Sequence, residues 1–124
     1  MLRMKRKLLF MITSVFILTA AGTVSASSLI CEGKIKKIKV FSDGFFLVWG
    51  QGEWIPGAHR LCKMDGTWQS IGMETCKSYQ SILQQALATG SIIRIEYKNL
   101  VGVSTCQDLP RWGNSIKPHG IEVE

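Results

Sequence analysis

Four cysteines offer the clearest chemistry in the sequence: Cys31, Cys62, Cys76 and Cys106. An even number of cysteines in a small exported domain is typical of disulfides, so two bridges are expected. A zinc site is disfavoured because such sites use close Cys-x-x-Cys pairs, whereas the successive spacings here are 31, 14 and 30 residues. Spacing alone leaves every pairing of the four open.

The sequence contains no recognisable motif of catalytic residues. His59 and His119 have no neighbours that suggest a metal site or a nucleophile triad, and no G-x-S-x-G, H-E-x-x-H or P-loop motif occurs. Asp43 and Asp65 each precede a glycine, which is typical of turns rather than of acid/base groups. We therefore predict a protein that is not an enzyme and that needs no metal or cofactor.

The four tryptophans of the sequence favour a binding function over a catalytic one. Trp49 and Trp68 are expected in the core or at a barrel end, whereas Trp54 and Trp112 lie in loops. A loop tryptophan can stack on a sugar ring or anchor a protein interface, or it can pack down onto the fold. Both roles are open for Trp54, and packing is favoured for Trp112.

The first 26 residues have the pattern of a secretory signal peptide. A basic start is followed by an apolar run over residues 8–23 and by small residues that end at Ala26. The run is shorter than the roughly 20 residues of a membrane span, so we expect cleavage after Ala26 rather than a retained anchor. The sequence thus predicts a signal peptide over 1–26 and one periplasmic or secreted domain over 27–124, with no membrane segment after cleavage.

The charge balance does not indicate nucleic-acid binding. Four of the 15 Lys and Arg residues lie in the predicted signal peptide, so residues 27–124 carry 11 against 9 acidic residues. One basic cluster remains in "GKIKKIKV": Lys34, Lys36, Lys37 and Lys39. We interpret it as a solvated strand face in preference to an anion-binding stripe.

Periodicity predicts five strands and one helix. The strands are expected at residues 33–41, 45–50, 59–64, 91–97 and 100–106, with a bulge near Lys36–Lys37 and an Asp-Gly turn at 43–44. An amphipathic stripe over residues 75–90 predicts a helix with Thr75 as N-cap and Gly90 at its end. "IEVE" at the C-terminus suits a short edge strand. The predicted fold is mainly β, in the order βββ-α-ββ, as a small OB-like antiparallel barrel.

Several strings carry a resemblance to the B subunits of subtilase-type and pertussis-like bacterial toxins. They are "FFLVWG", "RLCKM", "YQSILQQALATG" followed by "IRIEY", and "NLVGVSTC", within residues 33–106. The family implies an OB-like barrel that assembles as a ring of five and binds sialylated glycans. The whole of residues 27–124 also resembles a broader group of short, uncharacterised exported bacterial proteins.

The cysteines of this sequence match those of the toxin subunits only in part. Leu47 stands where the toxin subunits have the partner of the cysteine that matches Cys62, and no cysteine follows Cys106. If the third and fifth strands are neighbours in the barrel, the pairs are Cys62–Cys106 and Cys31–Cys76, which is the pairing that we predict.

The glycan site of that family carries over only at Tyr97, since Glu32 stands where the family has a serine and would repel an acidic sugar. The candidate ligand or partner surface is therefore Tyr97, Trp54, Glu32 and Lys34. We expect a non-catalytic module that binds a glycan or a protein partner, either free or as the B-like subunit of a larger exported assembly, and that forms a ring or another homo-oligomer. The alternative is a stand-alone, monomeric exported protein with a structural or inhibitory role.

Overall fold

The structure is a computed structural model that describes residues 27–52 and 54–124. The predicted signal peptide and its cleavage after Ala26 lie outside the described residues. The elements are β1 (Ser27–Val40), β2 (Phe45–Gly50), β3 (Ala58–Lys63), α1 (Met73–Thr89), β4 (Ile92–Leu100) and β5 (Gly120–Val123). No helix in these described ranges is both long and apolar enough to cross a bilayer.

The strands form one antiparallel sheet in the order β3-β2-β1-β4-β5. β1 is long because its first part pairs with β4 and its second part pairs with β2. The register shifts between Ile35 and Lys37, so the predicted bulge is confirmed. The Asp-Gly turn is also confirmed, with Gly44 at a φ of 88° that favours glycine.

The sheet is open, with β3 and β5 at its edges, so closure into an OB-like barrel is not confirmed. The predicted fifth strand at residues 100–106 is wrong, because Asn99 and Gly102 adopt left-handed backbone (φ 57° and 73°) and break the extended run. Ser27 Oγ then bonds the carbonyls of Leu100 and Val103 and holds the turning chain beside the start of β1. The C-terminal segment supplies the last strand, as the "IEVE" pattern suggested.

Helix α1 covers one side of the sheet and closes the core. It buries Cys76, Tyr79, Leu83 and Ala86 against the strands. Gly90 ends the helix in left-handed backbone and its N–H bonds to the carbonyl of Ala86, as predicted. The helix begins at Met73 with Gly72 in the N-cap position, so the predicted N-cap at Thr75 is wrong; Thr75 lies within the first turn.

Two disulfides are present, but their pairing differs from the predicted Cys62–Cys106 and Cys31–Cys76. The bonds are Cys31–Cys106 and Cys62–Cys76. In the open sheet, β2 and β1 separate Cys62 on β3 from the chain that leaves β4, so Cys62 cannot meet Cys106. Cys62 instead faces the first turns of α1, and Cys106 returns to the half of β1 that pairs with β4.

Candidate functional site

The residues that the sequence indicated as a ligand surface are not brought together. Tyr97 lies on the core face of β4 and is fully buried, and its hydroxyl has no hydrogen-bond partner. Burial raises the pKa of the Tyr97 phenol, which stays protonated. Glu32 lies on the opposite face, where its carboxylate is 2.6 Å from Nε of Arg94. An incoming ligand cannot contact Tyr97 and Glu32 from one side of the sheet.

Arg94 pairs with Glu32 and with two further carboxylates. Its guanidinium also lies 3.0 Å from a carboxylate oxygen of Glu122 and 3.9 Å from one of Glu124. These three pairs link β1, β4 and the C-terminus on an exposed face, where ion pairs contribute little to stability. The carboxylate of Glu32 therefore has a structural partner.

Trp54 packs onto the fold instead of standing free. Its indole Nε1 donates a hydrogen bond to the carbonyl of Lys34. Its ring lies so close to Gly33 and Gly50 that a Cβ atom at either position would be closer than 3.0 Å to it. Of the two roles left open for Trp54, the structure supports packing, whereas the side chain of Lys34 points into solvent.

Aromatic rings gather on the outer face of the β1–β2–β3 part of the sheet, opposite the core. In β2, Phe46 and Val48 face the core, so Phe45, Leu47 and Trp49 face outward. Two rings from outside β2 join them, Phe41 from the turn and Trp112 from the C-terminal segment. We call this surface the aromatic face, and its rings are Phe41, Phe45, Trp49 and Trp112.

Trp112 is the centre of the aromatic face. Its ring packs edge-on against Trp49 (centroids 5.9 Å apart) and Phe41 (6.3 Å), yet 52% of the residue is exposed. Its backbone is left-handed, with a φ of 51° that bulky residues rarely adopt. Packing was favoured for Trp112, and the structure shows that the ring is both packed and half open to solvent.

Buried Ser115 holds the Trp112 segment onto the sheet. Its hydroxyl donates to the carbonyl of Trp112 (2.6 Å) and accepts the backbone N–H of Arg60 on the edge strand β3 (3.0 Å). Leu47 is buried although it points away from the core, and it lines the same groove as Trp112. Trp112 is thus displayed by a fixed backbone, which lowers the ordering cost of binding.

Cations lie directly on the rings. The Nζ atom of Lys37 is 4.4 Å from the ring centroid of Trp49, and that of Lys39 is 4.6 Å from Phe41. The guanidinium of Arg60 lies 4.0 Å from the centroid of Phe45. At these distances a cation is attracted by the π face of the ring. Two lysines of the cluster interpreted as a solvated face therefore belong to the aromatic face.

Two depressions flank Trp112. A groove of about 220 Å³ has Leu47 and Arg60 among its lining residues, with Phe41 and Trp112 as walls. A larger cleft of about 440 Å³ is lined by Trp49, Lys36 and Arg111. Trp112 lines the groove and Trp49 lines the cleft, and these two rings are in contact. Basic side chains outnumber acidic ones around them: Lys36, Lys37, Lys39, Arg60, Lys63 and Arg111, against Asp43 and Asp65.

The sequence analysis did not predict that these aromatic and basic residues form one surface. A signal was present in β2, where "FFLVW" is apolar at every position, because a strand with a solvated outer face alternates apolar and polar residues. Trp112, which lines the same groove as Leu47, is about 65 residues further along the chain, and no local pattern indicates this proximity.

The two histidines do not form a metal site with other residues. His59 is fully buried, and its Nε2–H donates to the carbonyl of Pro56 at 2.9 Å. Burial lowers the pKa of His59, and the nearby positive charge of Arg111 lowers it further. Within residues 27–52 and 54–124, no three His, Cys, Asp or Glu side chains are placed to hold a metal ion together.

Comparisons with known proteins returned no relatives: no family model, no curated protein and no solved structure matches the chain. Nothing in them links the chain to toxin B subunits. The resemblance to those subunits and to the short exported proteins therefore stays a prediction.

Proposed function

We propose that the protein is an exported, non-catalytic binding module whose aromatic face takes an acidic polysaccharide chain. The observation that carries the proposal is Trp112, half exposed and braced edge-on by Trp49 and Phe41, with Lys37 and Lys39 over those two rings. Sugar rings stack on such indole surfaces through their C–H faces. Lys and Arg side chains beside the rings pair with the sugar carboxylates.

The shape of the surface supports a chain rather than a single sugar. The groove lined by Trp112 and the cleft lined by Trp49 would together accommodate more than one sugar unit. Both have basic residues at their walls, namely Arg60 in the groove and Lys36 and Arg111 in the cleft. A polymer with repeated negative charges matches this arrangement better than a neutral one.

A single-stranded nucleic acid would also suit stacked rings with cations between them. The two disulfides favour the glycan, because disulfides persist in the oxidising compartments outside the cytosol. Export through the predicted signal peptide and the assignment to the periplasm or the exterior are part of the proposal.

The proposal also takes the sheet as an opened form of a five-stranded OB barrel. The order β3-β2-β1-β4-β5 with α1 between β3 and β4 supports this, and closure would add pairing between β3 and β5. In OB barrels the surface of the second and third strands carries oligosaccharides and oligonucleotides. The aromatic face lies on the equivalent strands.

The test compares oxidised protein binding to polygalacturonate and to neutral dextran, by tryptophan fluorescence and calorimetry. We expect saturable binding to polygalacturonate only, weakening as salt rises. Trp112→Ala should weaken it about tenfold or more, since loss of one stacking platform costs about 1–3 kcal/mol. Lys37→Ala should weaken it and reduce the salt dependence.

Matched controls are Lys77→Ala and Met73→Ala, which remove an exposed lysine and an exposed apolar side chain from α1. Neither should change the affinity. Equal binding to both polymers, or no effect of Trp112→Ala in a protein with native near-UV circular dichroism, would contradict the proposal. Tighter binding to single-stranded DNA than to polygalacturonate would overturn the glycan assignment.

The B-like ring is a separate part of the proposal and has its own test. Size-exclusion chromatography with light scattering on oxidised protein should give a ring of subunits at micromolar concentration. A monomer would favour the stand-alone alternative and would leave the glycan site untouched.

A further inference from the structure

A third depression is lined by lysine and histidine side chains and by no carboxylate. This polar cleft of about 300 Å³ lies between the loop at Ser70, the end of β4 at Lys98 and Asn99, and the segment that leads into β5. Lys98, Lys117 and His119 all line it, and no Asp or Glu does. A site of this composition attracts negative charge.

The two lysines of the cleft have few charge partners. The Nζ atom of Lys98 lies 3.6 Å from the carboxylate of Glu96. Across residues 27–52 and 54–124, Lys117 has no carboxylate within ion-pairing distance. The cleft therefore keeps positive charge that the fold itself does not neutralise.

The neutral side chains of the cleft are also unpaired. Ser70, Thr75, Tyr79 and Asn99 also line the cleft, and none of these side chains has a hydrogen-bond partner among the described residues. Burial raises the pKa of the Tyr79 phenol, so its hydroxyl remains a donor. Hydroxyl and amide groups of this kind complete the coordination of an oxyanion.

Backbone bonds hold the walls of the cleft in place. The N–H of Lys117 donates to Oε1 of Gln69 (3.2 Å), and the N–H of His119 donates to the carbonyl of Glu96 (2.6 Å). Ser70 and Asn99 both have left-handed backbone, at φ values of 67° and 57°. Residues in such conformations cost free energy and cluster at ligand sites. The backbone that carries the polar side chains is thus fixed before any ligand arrives.

Because lysines and neutral polar side chains line the same cleft, we propose that it binds a small molecule with one oxyanion, which is a phosphate or a carboxylate. The rest of this molecule is polar and about the size of a monosaccharide. The volume exceeds that of a bare anion, and the hydroxyl and amide groups beside the cations suit a sugar body. The site is separate from the aromatic face and does not depend on the function proposed for that face.

The test uses nitrogen-15 NMR titration of the oxidised Trp112→Ala protein, so that the aromatic face does not contribute. The probes are inorganic phosphate, glucose 6-phosphate, glucuronate and glucose. We expect saturable shifts at residues 69–75, 98–99 and 117–119 with at least one anionic sugar, and none with glucose. Tighter binding of glucose 6-phosphate than of glucuronate assigns a phosphate, and the reverse order assigns a carboxylate.

Lys117→Ala and Lys98→Ala should each weaken this binding about tenfold, as loss of a charged hydrogen bond does. Tyr79→Phe should weaken it severalfold while keeping the buried ring, and Lys77→Ala should have no effect. Absence of saturable binding by every anionic probe up to about 10 mM would overturn the proposal. So would equal affinity in the wild type and in both lysine variants, or a phosphate affinity that the sugar body does not improve, which would indicate an adventitious ion only.

Discussion

The indole Nε1 of Trp54 donates a hydrogen bond to the carbonyl oxygen of Lys34, with 2.8 Å between the two atoms. This bond holds the ring at the point where β1 stops pairing with β4 and begins to pair with β2. The ring occupies the space above Gly33 and Gly50, where any other residue would place a Cβ atom. Trp54 therefore joins the two halves of the sheet at their common strand.

Gly33→Ala should lower the free energy of unfolding by about 1–3 kcal/mol, because the new methyl group overlaps the Trp54 ring and overpacks the site. Urea unfolding of the oxidised protein measures the change. Gly120→Ala in β5 is the matched control, since nothing lies within 4 Å of its Cβ position, and it should cause no loss.

Combining Gly33→Ala with Trp54→Ala tests the cause of that loss. Removing the ring removes the overlap, so the double variant should be more stable than the sum of the two single losses predicts. Strict additivity would show that Gly33 is required for some reason other than its contact with Trp54.

The local elements were predictable because their signals are local. Short apolar runs bounded by turn residues located β2 and β3, the stripe ending at Gly90 located α1, and the Asp-Gly dipeptide located the turn before Phe45. The segment from Leu100 to Cys106 was wrongly predicted as a strand because its apolar composition suits one. Left-handed backbone at Asn99 and Gly102 cannot be read from composition alone.

The errors in the candidate site have one physical source, which is the arrangement of distant segments. Tyr97 alternates correctly with its neighbours in β4, but which face of that strand is covered depends on α1, so its burial was not evident. The Cys62–Cys106 pairing assumed a closed barrel, and the open sheet removes the contact. The aromatic face requires Trp112 to return to β2 across most of the chain.

Removal of the two disulfides should have unequal costs. In the chain-entropy relation, the Cys31–Cys106 bond, with a separation of 75 residues, contributes about 4.5 kcal/mol. The Cys62–Cys76 bond, with a separation of 14, contributes about 3 kcal/mol. Paired Cys→Ala variants in urea unfolding should reproduce this order.

Peptide mapping without reduction checks the pairing itself. A peptide that joins Cys62 to Cys106, or Cys31 to Cys76, would contradict the observed bonds and would favour the closed barrel. The mapping should be done on protein that was oxidised before purification, so that exchange during handling does not alter the result.

Tyr97→Phe should leave the free energy of unfolding unchanged or raise it by about 1 kcal/mol. The Tyr97 hydroxyl is buried without a partner, so its removal relieves a desolvation cost and loses no hydrogen bond. Tyr97→Ala, which also removes the ring, should cost about 3–5 kcal/mol. Loss of glycan binding in a stable Tyr97→Phe protein would restore Tyr97 as a ligand residue.

The stability of the protein should fall as the pH drops below about 6.5, and His59 should account for part of that fall. Burial and the positive charge of Arg111 lower the pKa of His59 in the folded state, below the value of 6.5 that applies in the unfolded chain. Between the two values the unfolded chain binds more protons, so acid favours unfolding. Below the folded-state pKa the contribution of His59 levels off. Urea unfolding at pH values on either side of 6.5 measures the slope.

His59→Gln separates this effect from other titrations. The Gln amide can still donate to the carbonyl of Pro56, as Nε2 of His59 does, but it carries no titrating proton. The stability of the variant should therefore depend less on pH between about 5 and 7. A slope that persists in His59→Gln would show that the buried imidazole is not the group that links folding to pH.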